Sequence, residues 1–72
     1  KHIVEIRVFT NARSTQSKYA LAHVEQIVRD IAPMFSMSAF KVNEFPSDKN
    51  QDLLERLRIY ALPAVIVGNQ QM

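Results

Sequence analysis

Apolar positions along this chain recur with two periods, and the changes between them mark out strands and helices. In residues 3–9, Ile-Val-Glu-Ile-Arg-Val-Phe, the apolar Val4, Ile6 and Val8 alternate with Glu5 and Arg7. A period of two is that of a strand with one face toward a core. Ile3 and Phe9 fall on the opposite side, which predicts that this face is partly covered too, with helices on both faces of a sheet. The period then lengthens. Ala20, Leu21, Val24, Ile27, Val28 and Ile31 recur at steps of three and four, the stripe of an amphipathic helix. Ser14 or Thr15 can cap its start with a side-chain oxygen. Pro33 stops it, because proline cannot continue the hydrogen-bond ladder. On its outer face Glu25 precedes Arg29 by one turn, the favourable order for an ion pair.

Met34 to Ser38 read as a return loop, with Met34, Phe35 and Met37 packing under the helix end. Residues 39–45, Ala-Phe-Lys-Val-Asn-Glu-Phe, read as a second strand. Phe40, Val42 and Glu44 share one face, and Lys41, Asn43 and Phe45 the other. Strand, helix and strand in this order make a βαβ unit with a right-handed crossover. Pro46-Ser47 end the strand. Asp48, with Gln51 three residues on, resembles a capping box that opens a second helix. That helix would bury Leu53, Leu54, Leu57 and either Tyr60 or Ala61. Pro63 then leads into a β-branched strand, Val65-Ile66-Val67, closed by Gly68-Asn69, a hairpin-turn dipeptide. Gln70-Gln71-Met72 would begin an antiparallel return.

Composition narrows the classes. Seventy-two residues allow one domain, residues 1–72, with a small core. The chain is 47% apolar and 22% charged, as an ordinary globular protein is. Its net charge of +2 comes from scattered basic residues with no interleaved aromatics, which argues against a nucleic-acid surface. The apolar runs, such as 61–67, are too short to span a bilayer, and none reads as the apolar core of a leader. There is no cysteine, so no disulfide supports the core; that absence ordinarily fits a reducing compartment, and a cytoplasmic setting is expected. His2 and His23 stand apart in the sequence, so no metal site is expected. His23 flanks the helix stripe as a boundary residue.

The candidate chemistry lies where the first strand meets the first helix. Residues 9–20, Phe-Thr-Asn-Ala-Arg-Ser-Thr-Gln-Ser-Lys-Tyr-Ala, place Ser14 at a helix mouth and Ser17 one turn inside it. Read by residue type alone, the two serines are a helix cap and a polar turn. With cysteine in place of both, the segment reads F-T-x-x-x-C-x-x-C-K-Y-A. It then resembles the active-site turn of the thioredoxin/glutaredoxin superfamily. Ile59-x-x-x-Pro63-Ala64-Val65-Ile66-Val67-Gly68 is similar to that family's proline-led strand, with Ala64 where threonine is commonest. The likeness covers residues 3 to about 70. It implies an α/β, thioredoxin-like βαβαβ fold: a mixed sheet, helices on both faces and the start of a terminal hairpin.

By the same resemblance Ser14 stands at the nucleophilic cysteine position and Ser17 at the resolving one. Pro63 would follow a cis peptide and, with Leu62, Arg13, Thr15 and Gln16, would contact an extended substrate. The partner implied is a protein disulfide or a small thiol, with no cofactor. The chain departs from the family in three ways. Both cysteines are serine, so no disulfide can form. The first strand's apolar face has no buried acid, which is more glutaredoxin-like than thioredoxin-like. The family's last strand and C-terminal helix do not appear within residues 1–72, so a second copy or a longer chain is expected to cover one strand edge.

A thiol at position 14 would be acidified by the helix start, Arg13 and Lys18. A serine hydroxyl stays protonated without a positioned base, so this form is inactive in disulfide exchange. Arg13, Lys18 and the helix mouth could alternatively hold a phosphate or a peptide carboxylate. Two function classes follow from the resemblance. One is an oxidoreductase domain in Ser-for-Cys form. The other is a naturally non-catalytic interaction module, as in the KaiB-type clock proteins, to which Val8-Phe9-Thr10-Asn11 is loosely similar. A glutathione-binding half-domain with Pro63 lining the site is a weaker third.

Overall fold

The computed structural model describes residues 2–71, with side chains described through residue 68. Its elements are strand β1 (His2–Thr10), helix α1 (Thr15–Ile31), strand β2 (Ser38–Pro46), helix α2 (Gln51–Arg56) and strand β3 (Ala64–Gln71). Short 3-10 turns at Ala32–Met34 and Ser47–Lys49 follow α1 and β2. The three strands form one mixed sheet in the order β2-β1-β3. β1 pairs with β2 in parallel, Val8 beside Glu44, and with β3 antiparallel, Val8 beside Val65.

Register and alternation sort the side chains into two faces. Val4, Ile6, Phe40, Val65 and Val67 line an apolar cleft of about 300 Å³ with Val24, Ile27, Val28 and Ile31 of α1. This is the helix stripe meeting the strand stripe, as the two periods require. The core is small: Ile6, Val8, Phe9 and Leu54 are the buried apolar residues among those described. Phe9 belongs to the second face, where its ring lies 5.2 Å from that of Phe45. Next to this aromatic pair the second face is polar. Arg7 Nε donates to Glu5 Oε1 at 2.8 Å, and Asn43 Nδ2 donates to Glu5 Oε2 at 2.9 Å. The Arg7 guanidinium also lies 5.4 Å from the centre of the Phe45 ring. Phe9 is thus 0% exposed on a face that also carries an ionic strip.

Three sequence expectations are corrected. The hairpin turn at Gly68-Asn69 is absent: β3 runs through both, pairing Gly68 with Glu5 and Asn69 with Val4. A two-residue hairpin needs positive φ, and Gly68 has none. β1 is nine residues long, and the first half of its ladder toward β3 is satisfied only if β3 continues past Gly68. Met72, the end of the expected return strand, lies outside the described residues.

Second, α2 is six residues long and buries Leu54 alone. Asp48 does not cap it. Its N-cap is Asn50, without a side-chain cap bond, while Asn50 Nδ2 and Gln51 Nε2 donate to the carbonyls of Pro46 and Ser47. At the other end Arg58 takes a left-handed φ of 56°. Ile59 N–H then reaches Leu54 O at 3.0 Å, and Arg58 N–H reaches Glu55 O at 3.1 Å. That pair of bonds is a Schellman stop. Because the helix ends there, Leu57, Tyr60 and Ala61 are exposed, not buried.

Third, Met34, Phe35 and Met37 are exposed, although Phe35 packs edge-on against Phe40 at 6.0 Å. The 3-10 turn at Ala32–Met34 follows α1 directly, so the chain leaves the helix axis before Phe35 and Met37. On the outer face of α1, Arg29 Nη2 donates to Gln26 Oε1 at 3.1 Å.

Candidate functional site at the β1–α1 turn

The turn between β1 and α1 is built from short polar side chains that bond back to the backbone. Asn11 Oδ1 accepts from Arg13 N–H at 3.1 Å, and Asn11 O accepts from Ser14 N–H at 2.9 Å. Together they bend the chain sharply after the strand, since an asparagine side chain mimics a backbone turn. Of the two candidate caps it is Ser14 that serves. Its backbone is extended (φ −106°, ψ 122°), and its Oγ accepts from Ser17 N–H at 3.4 Å, a long bond.

Ser17 lies one turn deeper and is 1% exposed. Its Oγ accepts from Asn11 N–H at 2.9 Å. Residue 17 continues the apolar stripe of α1 backward from Ala20 and Leu21, which is why the helix turns it inward. Each serine oxygen therefore meets a backbone amide, and the two bonds tie strand end, turn and helix start together. Neither described hydroxyl partner is a base that could activate it. Arg13, Thr15, Gln16 and Lys18 are exposed around this frame.

Leu62 and Pro63 lead into β3, which flanks β1 on the side opposite β2. The Leu62–Pro63 peptide is cis. The register pairs Phe9 with Ala64, so Pro63 stands just beyond that pair, at the same end of the sheet as the Asn11–Ser14 turn. Both Leu62 and Pro63 are half-buried. The structure thus brings Ser14, Ser17, Arg13, Thr15 and Gln16 onto one turn and sets Leu62 and Pro63 at the same sheet end. The cleft beside Ser17, about 360 Å³, opens instead toward β2, between Lys18 and Glu25 of α1 and Glu44.

That cleft exposes a residue pair the sequence reading missed. Thr10 is buried, and its Oγ1 donates to Glu44 Oε2 at 2.8 Å. The two are far apart in sequence, and only the parallel register, which sets β2 beside the end of β1, makes them neighbours. A polar residue in phase with Val4, Ile6 and Val8 was the available signal. A separate electrostatic feature lies on the second face. The hydrogen bond from Arg7, and next that from Asn43, hold the Glu5 carboxyl below its ordinary range.

Fold and site together define a small α/β protein with a mixed three-stranded sheet and a serine-capped strand-to-helix turn. No known family model matches the chain, and no curated protein sequence matches it. No helix among the described residues is long and apolar enough to cross a membrane.

Proposed function

We propose that this chain is a thioredoxin/glutaredoxin-like domain whose disulfide-exchange site is held in a redox-inactive S-x-x-S form. The observation that carries the reading is the depth relation of the two serines. Ser14 is half-buried at the N-cap of α1, and Ser17 is 1% exposed one turn inside the helix. A dithiol site needs that relation, with an accessible attacking sulfur and a sheltered resolving one. The strand order β2-β1-β3, with β3 antiparallel and led by Pro63, supports the same family. The physiological partner of such a site is a protein disulfide or a small thiol. With serine at both positions the chain contacts it without exchanging electrons.

A second reading has its own support. Both serine oxygens accept from backbone amides, so serine serves this turn as it stands. A non-catalytic interaction module, working by association through the Ser14 and Pro63 end of the sheet, uses the same surface.

One variant separates the two. The Ser14→Cys/Ser17→Cys double variant would be equilibrated in glutathione redox buffers and its disulfide read by alkylation and mass. In the exchange, two thiols are oxidised to one disulfide while glutathione disulfide is reduced to two glutathiones. The expected result is a cooperative two-electron transition, with one thiol titrating clearly below ~8.5. Two thiols that stay reduced and alkylate independently, like ordinary exposed cysteines, would overturn the redox ancestry and leave the interaction module.

A further inference from the structure

We draw no further inference here: the strongest candidate, the outer edge of β3 where exposed Val65 and Val67 border the apolar cleft against α1, carries nothing because nothing in the structure shows what covers it.

Discussion

At the scale of single residues, the informative positions are those where a side chain departs from what its neighbours want. Glu5 lies beside Arg7 on the face of β1 opposite the Val4, Ile6 and Val8 stripe, and its side chain is 16% exposed. Hydrogen bonds from Arg7 and Asn43 favour the charged form and lower its pKa from the ordinary 4.5. The sign of the linkage follows. A depressed folded-state pKa means that the unfolded chain binds the proton more readily. The stabilisation is therefore fully present above the ordinary carboxylate value and is lost as pH falls through the lowered one. Carboxyl NMR titration should place Glu5 below the ordinary glutamate value of 4.5, and Arg7→Leu should move it upward. A Glu5 titrating at the ordinary value in the unsubstituted chain would show that the strip does not hold in solution.

Arg58 departs in a different way. It occupies a left-handed conformation that glycine normally takes at a helix stop. A side chain with a Cβ loses roughly 1–2 kcal/mol in that region. Arg58→Gly should therefore raise stability by about 1 kcal/mol, less the entropy glycine adds to the unfolded chain. For a domain this small, that is a rise in melting temperature of at most ~4–8 °C, readable by circular dichroism. A fall in melting temperature would mean that the Arg58 side chain makes a stabilising contact that outweighs the strain.

At the scale of elements, the helix start and the last strand show how local signals are kept or overruled. The Ser14 cap and the α1 stripe are local, and both are realised at the positions the sequence marks. The Gly68-Asn69 signal is local too, yet the ladder to β1 overrides it. The two arrangements respond oppositely to a side chain at residue 68. In an extended strand with nothing within 4 Å of an added Cβ, Gly68→Ala should stabilise by about 0.4–1 kcal/mol, chiefly by restricting the unfolded chain. In a type I′ turn the same substitution would destabilise, because alanine resists positive φ. A urea-denaturation midpoint decides between them.

At the scale of the whole molecule, few fully buried side chains support the fold. Val8 and Phe9 are both 0% exposed, and Phe9 also carries the aromatic contact to Phe45. Truncating a buried phenylalanine to alanine costs ~3–5 kcal/mol, and small domains have little more than that in total. Phe9→Ala should therefore abolish cooperative unfolding at room temperature. Val67→Ala, at a position 64% exposed, should change stability by no more than ~0.5 kcal/mol. Cooperative, near-wild-type unfolding of the Phe9 variant would place the structural centre elsewhere. The second sheet face, half aromatic and half ionic, is a feature of this same scale, because it exists only once β1 and β2 lie side by side.

The alternation of residues 3–9, the stripe from Ala20 to Ile31 and the polar stretch between them determined by themselves that β1, a capped turn and α1 follow one another. They also determined that Ser14 and Ser17 fall at different depths, since periodicity alone assigns a residue to a face. Pairing was beyond their reach. Only the tertiary structure decided that Gly68 lies in a strand and not in a turn. It likewise decided that a Schellman stop leaves Tyr60 in solvent, that Glu44 meets Thr10, and that Pro63 arrives at the end of the sheet where Ser14 sits. Local chain stiffness and side-chain period act over a few residues, and a sequence displays them directly. Register depends on which distant backbone groups can satisfy one another, and that balance exists only in the folded chain.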